Sequence, residues 1–220
     1  MSYKYLIVLV LIVLGACSSG KKAEQKQNEI PEQQIPEGTQ SLFDGNTLDG
    51  WEITNFGTQG PVRVSGGKII ISMGDGCSGI NHTADFPKVN YEVGLEARKT
   101  SGNDFFCGLT FPVNERFCSL IVGGWGGPVV GLSTIDGLDA SENETKILKN
   151  FEKDRWYSIR LKVNDKKIKV WIDDEVVVDF DYSERELGIR PEVRLSRPFG
   201  LCTWMTTAEI RNFWLRENTQ

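Results

Sequence analysis

From residue 41 to the C-terminus the sequence is a succession of short runs with β-type alternation, and no stretch sustains a helical period. Residues 90–99 put Tyr91, Val93, Leu95 and Ala97 on one side and Glu92, Glu96 and Arg98 on the other, the pattern of a half-buried strand. Residues 156–163 repeat it with Tyr157, Ile159, Leu161 and Val163. Asn164-Asp165 then turns the chain into 166–172, and Asp173-Asp174 turns it again into 176–180. Gly66-Gly67 sets a hairpin within 62–73. Further strands are expected at 105–113, 117–123, 129–134, 192–196, 200–204 and 209–215. Short strands with turn signals at this spacing predict a β-sandwich or a barrel.

The β region opens on Ser-Leu-Phe-Asp-Gly-Asn-Thr-Leu-Asp-Gly-Trp, residues 41–51. Phe43, Leu48 and Trp51 are its apolar anchors. Asp44-Gly45 and Asp49-Gly50 are turn pairs, in which Gly supplies a positive φ and Asp bonds to nearby backbone. The stretch therefore predicts a double turn that buries a Trp, with the closing strand paired close to it.

The residues before it read differently. Lys4 precedes an apolar run at 5–14, too short for a bilayer span of about 20 residues. Leu14-Gly15-Ala16-Cys17 follows as a lipobox. The expectation is a lipoprotein signal peptide at 1–16, a lipidated Cys17 as membrane anchor, and a polar tether through residue 40 that cannot bury enough surface to fold. Ser18 points to the outer membrane of the cell envelope. Residues 41–220 then form one domain, of ordinary size. Apolar residues are 40% of the chain, with six Trp, enough for a core. The formal charge is −5 and no basic stretch interleaves with aromatics, which argues against nucleic acid as a partner. Export permits disulfides among Cys77, Cys107, Cys118 and Cys202. A Cys77–Cys202 bridge is expected, with Cys107 and Cys118 as buried thiols on a hairpin that sets them diagonally.

Chemistry has few places to reside. His82 is the only His, so a multi-His zinc site is excluded. It is a candidate general base or a strand-end residue bonded to backbone. Asp136, Asp139, Glu142 and Glu144 fall within nine positions. Clustered carboxylates raise one another's pKa and supply a base; they also suit a divalent cation such as calcium, or form a solvated acidic loop. Trp125 stands between two Gly pairs, either as a stacking platform for a sugar ring or as a plug on the sandwich. By strand alternation Arg190, Glu192, Arg194 and Ser196 share one face, with Arg98 and Glu96 on a sheet face too. Such a set clamps sugar hydroxyls and stabilises an enolate, or makes ordinary cross-strand pairs. The Glu-x-Asp-x-x-Glu strand of laminarinase-type glucanases is absent, which disfavours a retaining glycosidase of that kind.

Phe43 to Trp51 resembles the opening signature of the 3-keto-disaccharide hydrolase family, also described as 3-keto-glucoside lyases and 2-hydroxy-glucal hydratases. The likeness continues at Asn90-Tyr91-Glu92-Val93, Trp156-Tyr157-Ser158-Ile159, Val170-Trp171-Ile172-Asp173-Asp174-Glu175 and Thr207-Ala208-Glu209-Ile210-Arg211-Asn212-Phe213. It implies an all-β, concanavalin A-like jelly-roll β-sandwich of two antiparallel sheets. It also implies a carbohydrate partner: a glycoside already oxidised at C3, whose acidified C2 proton is removed, whose C1 substituent leaves by β-elimination, and whose glucal product is hydrated. On this resemblance Glu144, Asp139 or His82 is the base, Arg98 or a bound cation stabilises the enolate, and Trp125, Glu142, Glu192 and Arg194 hold the sugar. The family's Gly-Asn-Ser-Gly-Ile element is replaced by Gly102-Asn103-Asp104-Phe105-Phe106, and its Glu-x-Gln element is missing. A non-catalytic carbohydrate-binding module is the alternative.

Overall fold

The structure is a computed structural model and describes residues 34–217. The expected signal peptide and Cys17 lie outside the described residues. Two antiparallel sheets face each other. The strands are β1 Gln40–Ser41, β2 Trp51–Ile53, β3 Val62–Ser65, β4 Lys68–Ile71, β5 Cys77–His82, β6 Tyr91–Gly102, β7 Cys107–Val113, β8 Arg116–Gly124, β9 Val129–Ser133, β10 Ile147–Leu148, β11 Tyr157–Val163, β12 Lys167–Ile172, β13 Glu175–Asp181, β14 Gly200–Trp204 and β15 Thr206–Glu217. An eight-stranded sheet runs β13-β12-β11-β6-β15-β4-β3, with β1 paired to β15; a seven-stranded sheet runs β10-β9-β8-β7-β14-β5-β2.

The core is what alternation dictates. Tyr91, Val93, Leu95 and Ala97 of β6 and Tyr157, Ile159, Leu161 and Val163 of β11 meet Cys107, Leu109, Phe111, Cys118, Leu120 and Val122 of the opposite sheet. Tyr91 crosses between layers, its hydroxyl donating to the Pro112 carbonyl at 2.7 Å, which satisfies a phenol that burial would otherwise penalise. The opening motif forms the double turn. Asp44 Oδ1 accepts the N–H groups of Asn46 and Thr47, each at 2.8 Å. Those bonds hold the Asp44 carboxyl below its ordinary pKa. Trp51 is buried and donates its indole N–H to Leu42. Gln40 and Ser41 pair with Leu215 and Trp214, so the closing strand seals the sandwich at its entrance.

Three differences from the sequence expectation matter. The stretch Pro191–Ser196 is a 3-10 helix and not a strand. Pro191 has no N–H for a sheet ladder and fits a first helical turn. Val193 and Ser196, three apart, point inward, while Glu192 and Arg194 are exposed, so the four-residue face expected from alternation does not form. Strand β5 was not anticipated, because Ser78, Gly79 and Asn81 break its apolar pattern. Finally, all four described cysteines are buried free thiols. Cys202 stands opposite Gly79 and Cys77 opposite Trp204, an offset of two positions that replaces the expected Cys77–Cys202 bridge. Cys107 and Cys118 also lie off register, facing Val122 and Phe111.

Candidate functional site

Strands β7, β8, β9 and β14 present a second face away from the core. On it β8 offers Ser119 and Ile121, β9 offers Ser133, and β14 offers Cys202 and Trp204. Small side chains make the floor low. A Cβ at Gly108 would lie 2.7 Å from the Phe105 ring, so the Phe lies flat on the sheet only because that position is Gly. Cys77, Cys202, Phe105, Ile121, Val129, Ala140 and Val193 pack there as a second, smaller apolar cluster. The 3-10 helix and the acidic loop thus cover part of this face.

A cleft of about 220 Å³ remains open beside them, lined by Asp104, Phe105, Ser119, Ile121, Trp125, Ser133, Arg190, Glu192, Val193 and Trp204. Arg190 organises its charge. It donates to Asp139 Oδ2 at 2.8 Å and to Glu192 Oε1 at 2.8 Å, and its guanidinium lies 5.9 Å from the Trp125 ring centre. The Glu192 carboxylate raises the Arg190 pKa, and Arg190 in turn holds Glu192 below its ordinary value. Asp139 is fully engaged, since Oδ1 accepts the backbone N–H and the hydroxyl of Ser141. Trp125 is 39% exposed and adopts φ +49, a left-handed conformation that disfavours a non-Gly residue. Asp104 supports that turn: Oδ1 accepts the N–H of Phe105 and Oδ2 that of Gly126. Its own backbone is tied to Thr206 at 3.1 Å on both N–H and carbonyl. Ser119 bonds Thr110 at 2.9 Å, and the buried hydroxyl of its cross-strand partner Ser133 has no hydrogen-bond partner.

The fold therefore brings Trp125, Glu192 and Asp139 together around Arg190. It separates the remaining candidates. Glu144 and Asp136 are clasped by Arg185, whose bonds pull the Glu144 pKa down. That reverses the mutual elevation expected of a carboxylate cluster. Glu142 is exposed at the edge of its loop, and Arg194 is exposed on the 3-10 helix; neither lines the cleft. Arg98 lies on the other sheet. Its guanidinium pairs with Glu209 at 2.7 Å and stacks on Trp156, and Arg211 does the same from Glu96, so this Arg/Glu set is the outer skin of the eight-stranded sheet. His82 lines a separate depression. Its ring packs on Trp51, Phe86 and Phe199, and Nδ1 lies 3.2 Å from the Ala84 carbonyl. Burial lowers its pKa, against the smaller opposing effect of that carbonyl. Among the described residues no group of three or more His, Cys, Asp or Glu side chains is placed to hold a metal ion.

Sequence reasoning passed over Asp104 and Trp204 as site residues, and it named Arg190 only as one member of a strand face. The available signal for Asp104 was its position in Gly102-Asn103-Asp104-Phe105-Phe106, where the chain replaces the motif it resembles. The Arg190–Glu192 pair was visible in the sequence as part of an expected strand face, but the Arg190–Asp139 contact gave no signal, because the two residues are 51 positions apart.

Among curated proteins none matches the sequence significantly. Solved structures share the architecture. The carbohydrate-binding module CBM66 from Bacillus subtilis aligns with a TM-score of 0.54 at 16% identity, over 76% of this chain and 96% of that one. The apo Crh5 transglycosylase aligns with a TM-score of 0.57 at 15% identity, over 83% and 84% of the two chains. A glycosyl hydrolase-like protein from Parabacteroides distasonis gives 0.52 at 12% identity, over 86% and 100%. At such identities the likeness establishes the concanavalin-like sandwich. The model of the 3-keto-alpha-glucoside-1,2-lyase-like domain matches residues 38–216, nearly all of the described chain, and the protein belongs to that family.

Proposed function

We propose that the Arg190 cleft binds a 3-keto-glycoside and cleaves it by β-elimination followed by hydration. The observation that carries this reading is Arg190 itself, anchored by Asp139 and Glu192 beside an exposed Trp in a cleft of the sheet. A fixed guanidinium is a ready-made partner for the oxygen that becomes negative when the C2 proton leaves. Asp104 is the base in this account. It lines the cleft, and among the described residues its carboxylate meets backbone N–H groups and no cation. Glu192, held ionised by Arg190, is an acceptor for a sugar hydroxyl and not an acid. Trp125 and Trp204 supply aromatic surface for the apolar face of the ring.

The steps balance as follows. Asp104 takes the C2 proton, and the C–H electron pair forms the enolate of the C3 ketone. Collapse of the enolate expels the C1 oxygen substituent with its bonding pair, and that oxygen takes its proton from the Asp104 carboxyl, which restores the base. Water then adds across the resulting double bond. A non-catalytic carbohydrate-binding role is the second reading, favoured by the full engagement of Asp139 and Glu192 with Arg190. Aglycone release from a 3-keto-glucoside and from its unoxidised parent separates the two. Release from the keto substrate alone, lost in Arg190→Met, is expected; binding without release from either overturns the enzymatic reading.

Anchoring through Cys17 in the cell envelope belongs to the same proposal. A labelled fatty acid incorporated by the wild type and not by Cys17→Ala is the expected result, and equal incorporation overturns it.

A further inference from the structure

On β8 the residues facing away from the core are Phe117, Ser119 and Ile121. Ser119 and Ile121 floor the Arg190 cleft. Phe117 lines a second depression of about 500 Å³, with His82, Pro112, Asn114, Glu115 and Pro198 around it. Phe117 and Ser119 are two positions apart, roughly 7 Å along a strand. The two depressions are thus neighbours on one face, and the 3-10 helix packs on β14 and β5, which lie beyond β7 from β8.

The second depression has the makeup of a site for a neutral polyol. Its walls are Phe and Pro surface. The Arg197 guanidinium lies 5.6 Å from the Phe117 ring centre and caps one side of it. The rim carries Asn114, the exposed Asp85 and a Lys88–Glu115 pair at 2.9 Å, so donors and acceptors for sugar hydroxyls stand around it. Apolar walls with a few directional polar groups are what a small-molecule pocket needs. From Phe117 to Val122 the strand is regular and runs roughly 17 Å at about 3.4 Å per residue, and the cleft continues past it to Trp125, a length that two pyranose rings do not fill.

We propose that this depression is a second sugar subsite, taking a neutral pyranose ring of a glycan whose other end occupies the Arg190 cleft. The ligand is accordingly an oligosaccharide longer than a disaccharide. This rests on the reading of the Arg190 cleft as a sugar site.

Titration calorimetry of the full-length protein with cello- and malto-oligosaccharides of one to six rings tests it. Affinity is expected to rise beyond two rings in one of the series. Phe117→Ala weakens the six-ring ligand by about tenfold and leaves the disaccharide unchanged, and Asn114→Gly, an exposed substitution that keeps the left-handed backbone of that turn residue (φ +54), acts in the same direction. Affinity that does not rise beyond two rings in either series, or a rise that survives both substitutions, overturns the proposal. Failure of the underlying reading has its own signature: Trp125→Ala would leave binding intact at every length.

Discussion

At the residue scale the account depends on Arg190. Glu192 and Asp139 hold its guanidinium in place, so Arg190→Met removes the cation and also leaves Asp139, whose side chain is only 15% exposed, without its partner. The expected outcome is at least a hundredfold loss of kcat/KM on a 3-keto-glucoside, with a smaller change in melting temperature. Arg190→Lys rescues little, because a single ammonium cannot make the two-sided contact. Trp125 carries binding instead. Trp125→Ala should raise KM or Kd by about tenfold, equivalent to about 1.4 kcal/mol, and leave kcat nearly unchanged. A fall in kcat with unaltered KM would assign Trp125 to the chemistry.

At the element scale the Asp136–Arg185–Glu144 clasp ties the acidic loop to the segment after β13. Both carboxylates have depressed folded pKa values, Glu144 chiefly through Arg185, Asp136 chiefly through the Glu186 N–H and then Arg185. A depressed carboxylate supplies stability above its unfolded pKa, about 4, and loses it as pH falls through the folded value. Urea midpoints of wild type and Arg185→Gln should therefore differ at neutral pH and converge in acid. A gap independent of pH would refute the clasp. On the outer face of the eight-stranded sheet, a Cβ at Gly94 would sit 2.2 Å from the Trp214 ring. Gly94→Ala must displace a buried indole and should cost about 2 kcal/mol or more, visible in the denaturation midpoint.

The same elements show how far the sequence could be read. β6, β11 and β12 were legible because one face is apolar and the other charged over a full strand, and period two then fixes register as well as existence. The double turn was legible because Asp-Gly pairs have few conformational alternatives. Pro191–Ser196 was not, because Val193 and Leu195 imitate alternation, and the Pro that breaks it was outweighed by its neighbours. The site was legible in its parts and not in its assembly. Trp125 announced itself by its Gly pairs, and Glu192 and Asp139 by charge, yet Arg190, which joins them, pairs with Asp139 across 51 positions. Local spacing carries no information about such a contact. It also gave no warning that Glu144 would turn to Arg185 or that Arg98 lies on the opposite sheet.

At the scale of the whole molecule two sheets bury a core continuous from Trp51 to Phe213, and the proposed site lies on the open side of one of them. Cys107 and Cys118 sit within that core, and burial pushes both thiols up to about 12. Alkylation followed by peptide mapping should find both unmodified in the native protein at pH 8 and both modified after denaturation; native labelling would show a looser core than the one described. The central claim is that elimination occurs in the Arg190 cleft with Asp104 as base. Its most direct measurement is the rate of aglycone release from a 3-keto-glucoside by Asp104→Asn, which keeps the shape of the side chain and the acceptor for Phe105 or Gly126. The account predicts a fall in kcat of at least about a hundredfold with substrate still bound, whereas an unchanged kcat would contradict it and move the base to another group.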